Sequence, residues 1–156
     1  MNPPPPLTPF PWVDIVFIFA LIALNGLFAM SELAIVSSRR PRLQAAEKAG
    51  KTGAATALAL AEDPGKFLST VQIGITLIGI GAGAFSGASL GGPVAERLRL
   101  AGLSGETATS LGFVLVIGGT TFVSLMIGEL IPKRLALRSP EPIAIAMARP
   151  MLLLAK

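Results

Sequence analysis

The hydrophobic residues of this chain are gathered into three long blocks. The blocks cover about residues 12–37, 67–90 and 107–131 and contain only three charged side chains between them. A helix needs roughly twenty apolar residues to cross the hydrocarbon core of a bilayer, so each block is long enough to span it. The pattern predicts an all-α membrane protein with three transmembrane helices.

The segments that connect and follow the blocks predict shorter helices. Residues 39–61 are rich in Ala, Leu, Glu and Lys around an interruption at residues 50–53, which indicates a helix on the inner membrane face or a solvated linker helix. Residues 94–100 form a short amphipathic run after Gly-Gly-Pro and predict an outer interfacial or re-entrant piece. Residues 140–156 are apolar but too short to cross. We therefore expect short outer helices and an inner juxtamembrane helical belt around the three spans.

The first block is predicted to be a retained span with an extracellular leader, residues 1–11. The leader has no Lys or Arg, and no small-residue cleavage site closes the block, which argues against a signal peptide. Basic residues concentrate after the first and third blocks, so the positive-inside rule places the N-terminus outside and the C-terminus in the cytoplasm, across the inner (plasma) membrane. These residues are Arg39, Arg40, Arg42, Lys48, Lys51 and Lys66 after the first block, and Lys133, Arg134, Arg138, Arg149 and Lys156 after the third.

Composition supports the membrane interpretation and restricts the chemistry. The chain is 52% hydrophobic and 14% charged, with a mean hydropathy of +0.70, whereas a soluble domain has about a quarter charged residues. It has no Cys, His or Tyr, which excludes thiol nucleophiles, imidazole bases and soft-ligand metal sites. The net charge of +4 also occurs in nucleic-acid-binding proteins, but here the basic residues flank the spans, so we expect no nucleic-acid partner.

The polar residues inside the blocks are the candidate functional residues, because ionisable and polar groups are costly in hydrocarbon. Most lie near the predicted cytoplasmic ends, where Ser31 and Glu32 close the first span, Ser69 opens the second and Glu129 closes the third. Three helix ends can thus converge. Carboxylate, amide and hydroxyl oxygens are ligands for Mg²⁺, Ca²⁺ or Na⁺.

Each of these residues also has a structural alternative. Glu129 can pair with Lys133 at i+4 on its own helix, and Glu32 lies close in sequence to Arg39 and Arg40. Ser and Thr hydroxyls in a membrane helix commonly bond back to their own backbone. We favour function for Glu129, since it is the sole charge of its span.

Glycines in the second block predict close helix contacts. Gly79, Gly83 and Gly87 recur at four-residue spacing, which lets helices approach within the bundle or across a dimer. Three spans are too thin to enclose an ion path comfortably, and a two-fold dimer is the usual solution. We therefore predict a homodimer.

Three sequence runs together resemble the CorC/CNNM family of magnesium transporters. They are Asn-Gly-Leu-Phe-Ala-Met-Ser-Glu-Leu-Ala at residues 25–34, Phe-Leu-Ser-Thr-Val-Gln-Ile-Gly-Ile-Thr-Leu at 67–77 and Gly-Glu-Leu-Ile-Pro-Lys at 128–133, the last followed by Pro-Glu at 140–141. Each run alone is weak, but they occur in the expected order and the resemblance covers nearly the whole chain.

The resemblance implies a dimeric domain that exports Mg²⁺ from the cytoplasm, with Na⁺ as the expected coupling ion. It also implies one Mg²⁺ per protomer and cytosolic CBS domains in the full-length protein that this chain does not include. The ligands carried over are Asn25, Ser31, Ser69 and Glu129, with the Gly128 carbonyl contributing and Glu32 a weaker candidate.

Two other functions fit the sequence. One is a membrane anchor and dimerisation module that senses Mg²⁺ and transports nothing. The other is an intramembrane enzyme with Ser69 or Ser124 as nucleophile; it would need a base, and only Lys133 is at hand, so we expect no enzymatic activity. The chain ends at Leu152–Lys156 without a finishing domain, so we expect it to be a piece of a longer protein.

Overall fold

The structure, a computed structural model, describes residues 7–154 and is helical, with no strand in that range. The first six residues of the predicted leader and the last two of the predicted second inner helix lie outside the described residues. The elements are α1 (Trp12–Ser37), α2 (Arg40–Lys48), α3 (Ala54–Glu62), α4 (Gly65–Leu100), α5 (Gly105–Leu125), a π-helical segment (Met126–Leu130), α6 (Ile131–Arg138) and α7 (Pro140–Leu154).

Three helical runs in residues 7–154 are long and apolar enough to cross a membrane: α1, α4 and the continuous run from α5 to α6. At about 1.5 Å per residue, the 26 residues of α1 extend about 39 Å, which exceeds the roughly 30 Å hydrocarbon core. Many large apolar side chains on these helices are exposed in the isolated chain, as lipid-facing residues are; examples are Val13, Leu77 and Val114. The predicted all-α fold with three membrane helices is confirmed.

The outer end of the second span differs from the prediction. Residues 94–100 are the last two turns of α4, which continues through Gly91, Gly92 and Pro93 as one helix of 36 residues. The reason is close packing on α5: a Cβ added to Gly112 would lie 2.9 Å from the backbone nitrogen of Ala95. This contact needs a helical backbone beyond Pro93, and it offsets the hydrogen bond that proline removes.

The third span also continues past its predicted end. The helical run extends to Arg138 and includes Pro132, whose missing N–H removes one hydrogen bond from the run. The preceding turn is π-helical, and the backbone N–H of Ile131 donates to the Met126 carbonyl five residues back. A π turn inside an α-helix often marks a functional site.

The belt consists of α2, α3 and α7, which pack around the end of α1 and the start of α4. The predicted interruption within residues 39–61 lies between α2 and α3, where Gly50 and Gly53 adopt positive φ of 73° and 92°. The principal apolar core is at this end of the molecule, and its buried residues are Ala34, Ile35, Leu43, Ala57, Leu60, Phe67, Val71, Ala136, Ala144, Ala148 and Met151. The belt is thus a packed platform that holds the membrane helices at one end.

Candidate cation site

The central contact of the membrane bundle joins α1 to the π-helical segment. The side-chain nitrogen Nδ2 of Asn25 donates a hydrogen bond to the Gly128 carbonyl at 3.1 Å. Asn25 is 4% exposed, and its other polar atom, Oδ1, is buried without a hydrogen-bond partner in the described part of the chain. A buried acceptor left without a donor carries a free-energy penalty of roughly 1–3 kcal/mol. Such an atom is suited to a bound cation or water.

Glycine makes this approach of the two helices possible. A Cβ at Gly128 would lie 3.0 Å from the Ile22 carbonyl oxygen, and one at Gly26 would lie 3.0 Å from Cγ of Pro132. Both distances are tighter than ordinary contacts, so a side chain at either position would push the helices apart. Local sequence therefore sets the spacing at which Asn25 reaches the π turn.

Pro132 explains why the Gly128 carbonyl is available. In an α-helix this carbonyl would accept from the N–H of the residue four positions on, which here is proline and has none. Asn25 supplies a donor in its place. A carbonyl oxygen has two lone pairs, so it can accept from Asn25 and still face a cation.

Glu129, the next residue, is the acidic group of the site. Its Oε1 lies 2.8 Å from Nζ of Lys133, so the i+4 pairing considered from the sequence is present. The two side chains are 35% and 33% exposed, so neither is sealed in the protein. The carboxylate is thus held by a neighbour on its own helical run, one turn away.

Asn25 and Glu129 both line one small cavity of about 150 Å³ between α1, α4 and α5. A volume of this size holds a few water molecules or a partly hydrated ion. Its polar wall on α5 comes from three hydroxyl residues, and small residues on α4 leave the space open. The other lining residues are Ile75, Gly79, Ala82, Gly83, Thr120, Thr121, Ser124 and Leu125.

The structure brings Asn25, Gly128 and Glu129 together but not the other three predicted ligands. Ser31 is fully buried and donates to the Leu27 carbonyl of its own helix at 2.6 Å. Ser69 is exposed and donates to the Gly65 carbonyl at 3.1 Å. Glu32 is half-buried, two turns beyond Asn25 on α1. None of the three lines the cavity, and their roles as ligands stay predictions.

Sequence reasoning missed two contributions to the cavity. Thr120, Thr121 and Ser124 are polar residues of the third span, but the ligand set predicted from the sequence does not include them. Gly79 and Gly83 were assigned to helix packing, yet they line the cavity. The available signal was the position of these hydroxyls, which precede Glu129 by one to three turns on the same helical run.

The oxygen atoms available as metal ligands in this site suit a hard cation and include a single carboxylate. An amide oxygen, a carbonyl oxygen, a carboxylate and nearby hydroxyls match the oxygen ligands of Mg²⁺, Ca²⁺ and Na⁺. Within residues 7–154 no three acidic side chains come together as a metal cluster. A bound divalent ion would therefore keep part of its hydration shell, as Mg²⁺ usually does.

Comparison with known families decides which group of proteins this chain is part of. Residues 16–156 match the sequence profile of the Cyclin M transmembrane N-terminal domain. The chain belongs to the CNNM family. The resemblance inferred from the three sequence runs is confirmed, and with its three apolar helices this CNNM domain is a multi-pass membrane protein.

Several bacterial proteins are similar to this CNNM domain. UPF0053 protein sll0260 of Synechocystis is 48% identical over 144 residues, which are 92% of this chain and 32% of that protein. UPF0053 protein YhdT of Bacillus subtilis is 35% identical, over 88% and 30% of the two chains. The polyamine export protein of Haemophilus influenzae is 29% identical, over 85% and 31%. The chain spans about a third of the length of these relatives.

Proposed function

We propose that this chain is the ion-conducting domain of a Mg²⁺ transporter that exports Mg²⁺ from the cytoplasm in exchange for Na⁺. In this proposal two copies form a dimer, each with its own cation site, and the cytosolic CBS domains of the full-length protein regulate them. The N-terminus is outside and the belt lies on the cytoplasmic face, where the positive-inside rule puts it.

The observation that carries this proposal is the unpartnered Oδ1 of Asn25 in a cavity shared with Glu129. Placing a buried hydrogen-bond acceptor and a carboxylate beside one small cavity costs free energy unless a cation or a hydrogen-bond donor lies between them. Both groups offer hard oxygens, and the Gly128 carbonyl, which accepts from Nδ2 of the same Asn25 side chain, is a third oxygen nearby although Gly128 is not among the lining residues. This combination favours a small divalent cation with some retained water.

Each group has a distinct role toward the cargo. Glu129 supplies the negative charge, Asn25 Oδ1 and the Gly128 carbonyl replace water ligands, and the hydroxyls of Thr121 and Ser124 contact the remaining hydration shell. The π turn and Pro132 keep the carbonyl free of its helix partner. Opening of the cavity to either side would then depend on movement of α4 along its glycine face.

The direct test is Mg²⁺ binding and flux by the full chain reconstituted in liposomes. We expect Glu129→Gln to weaken Mg²⁺ binding at least tenfold and to abolish flux, because the substitution removes little volume and the only charge among the described residues that line the cavity. Glu106→Gln is the matched control, since Glu106 is an exposed glutamate in the first turn of α5. Equal Mg²⁺ affinity in wild type and Glu129→Gln would refute the assignment of the site.

The same liposomes separate transport from sensing. A membrane anchor that senses Mg²⁺ would bind the ion through Glu129 and show no flux under any Mg²⁺ or Na⁺ gradient. Mg²⁺ flux that requires an opposing Na⁺ gradient would support coupled export. Mg²⁺ flux without a Na⁺ gradient would support transport but refute coupling to Na⁺.

A second candidate cargo is a polyamine, as in the relative named a polyamine export protein. The observation in its favour is that the Glu129 carboxylate already accepts a primary ammonium group, that of Lys133, at 2.8 Å. A linear polyamine presents the same group on a similar alkyl chain. Competition separates the two: a polyamine cargo should displace Mg²⁺ from wild type and be carried itself, whereas a Mg²⁺-selective site should hold Mg²⁺ in its presence.

A further inference from the structure

The Lys133 side chain is the one cation in contact with the candidate site among the residues that the structure describes. Its Nζ lies 2.8 Å from Oε1 of Glu129, and the contact is both a salt bridge and a hydrogen bond. Lys133 itself does not line the cavity, but it reaches the acidic group that does. One oxygen of the acidic group is therefore already in contact with the protein's own ammonium group.

The charge balance of the site changes when a divalent ion enters. With Lys133 on Glu129, the pair is neutral, and an ionised carboxylate in the membrane has the counter-charge it needs. If Mg²⁺ bound while Lys133 stayed in place, three positive charges would face one negative charge. Repulsion between like charges at such distances is substantial where screening by water is reduced. Mg²⁺ and the ammonium group thus compete for one carboxylate.

The geometry allows Lys133 to leave. Its side chain is one-third exposed on the surface of the isolated chain, so the protein does not enclose the ammonium group. A lysine side chain has a flexible four-carbon stem and can move its charge by several ångströms without movement of the backbone. The partner is also on the same helical run, so breaking the contact separates no two elements of the fold.

We propose that Lys133 is a tethered counter-ion of the cation site, which neutralises Glu129 when the site is empty and is displaced when the cargo binds. This inference rests on the proposed function of Glu129 as the carboxylate that binds the cargo. Lys133 then controls the cation affinity of the site without being one of the ligands. Its effect is to weaken binding, which lets a transporter release its ion.

The direction in which one substitution changes Mg²⁺ affinity distinguishes this role from a structural one. If Lys133 only positioned Glu129, Lys133→Met would weaken Mg²⁺ binding, because the carboxylate would lose its orientation. If Lys133 competes with the cargo, the same substitution tightens binding. We expect a gain of about fivefold, equivalent to ~1 kcal/mol, the upper range for a partly exposed ion pair.

The experiment measures Mg²⁺ affinity by titration calorimetry on the full chain in lipid nanodiscs. Lys133→Met should bind Mg²⁺ about fivefold more tightly, whereas Lys133→Arg, which keeps the cation, should stay within twofold of wild type. Arg134→Met is the matched control, because Arg134 is the adjacent basic residue, is exposed and makes no contact with Glu129. It should also stay within twofold. Lys133→Gln repeats the measurement with a different neutral side chain, in case the Met variant does not fold.

The combined variant distinguishes the failure of this inference from failure of the proposed function. Glu129→Gln together with Lys133→Met should bind no more tightly than Glu129→Gln alone, because the competition acts through Glu129. Unchanged or weaker Mg²⁺ binding in both neutral Lys133 variants would overturn the tethered counter-ion while leaving the site in place. A wild-type chain that binds no Mg²⁺ would overturn the proposed function itself.

Discussion

Two glutamates of this protein form salt bridges with basic side chains, but the two salt bridges connect different parts of the fold. Glu129 pairs with Lys133, four residues away on the same helical run, and it borders a cavity. Glu141 lies at the start of α7 and accepts from the backbone N–H of Arg39 at 3.3 Å, with Nη1 of Arg42 at 3.6 Å from its other oxygen. Glu141 thereby joins α7 to the link between α1 and α2, about a hundred residues earlier in the chain.

The difference indicates which carboxylate is structural and which is exchangeable. The side chain of Glu141 is 11% exposed, and loss of its contacts would leave a backbone donor without an acceptor where the belt meets α1. Glu129 joins no separate elements, its side chain is 35% exposed, and an unpartnered Asn25 oxygen borders the same cavity. A carboxylate that fixes two distant segments has to keep its partners, whereas one paired within its own helix can change them.

The largest effect that this comparison predicts is on stability. Glu141→Ala should lower the free energy of unfolding by roughly 2 kcal/mol, because the part-buried hydrogen bond from the Arg39 N–H loses its charged acceptor and Arg42 loses its partner. Glu129→Ala, the matched change, should lower it by less than about 0.5 kcal/mol, the value of a helical i,i+4 pair. The measurement is denaturant unfolding in detergent micelles. Equal losses would show that both carboxylates are structural.

Mg²⁺ affinity should change in the opposite order. The folded Glu141→Ala protein should bind Mg²⁺ within twofold of wild type, since Glu141 lies in the belt and does not line the cavity. Loss of binding there, without loss of folding, would show that the belt and the cavity are coupled.

The next prediction concerns the helix contact that forms the site. Gly128→Ala should destabilise the protein by about 1–2 kcal/mol and weaken Mg²⁺ binding about tenfold. Its new Cβ would lie 3.0 Å from the Ile22 carbonyl and 3.4 Å from Nδ2 of Asn25, so α1 and its amide must move. The readouts are unfolding and calorimetric titration of Mg²⁺.

Gly118 provides the control for this substitution. A Cβ there meets nothing within 4 Å, so Gly118→Ala should leave Mg²⁺ affinity unchanged and stability the same or slightly higher, as alanine favours helix. If the two alanine variants behaved alike, the close approach of α1 to the π turn would not matter to binding.

The sequence predicted the membrane helices and half of the candidate site, for identifiable physical reasons. Length and hydropathy specify a spanning helix, and Glu129 is evident as a lone charge in an apolar run. The continuation of α4 past Pro93 was missed because it depends on contact with Gly112, a residue of a different helix. Gly128 and Pro132 indicate a local irregularity of the helix at this place, but its π-helical form was not predicted, because a local bulge in hydrogen bonding has no periodic signature in the sequence.

The predicted hydroxyl ligands show the same limit of prediction from sequence. Ser31 and Ser69 lie near ends of the first and second spans that the sequence predicts on the same side of the membrane. Which space a side chain reaches depends both on its position along the helix axis and on its direction around that axis. Ser69 opens α4 at its belt end, while Ser124 precedes Glu129 by five residues and lines the cavity. Chain order alone does not provide that rotational information.

The smallest predicted effect compares these two serines directly. Ser124→Ala should weaken Mg²⁺ binding about threefold, because it removes one hydroxyl that, in the proposed site, contacts the hydration shell of the ion, a bond of modest net value. Ser69→Ala should change affinity by less than twofold, since its hydroxyl is exposed and bonded to the Gly65 carbonyl. Titration calorimetry with both variants at one temperature resolves the difference. A larger loss for Ser69→Ala would mean that the ion is held nearer the belt than the cavity beside Glu129, and that α4 turns its first residues toward it when it binds.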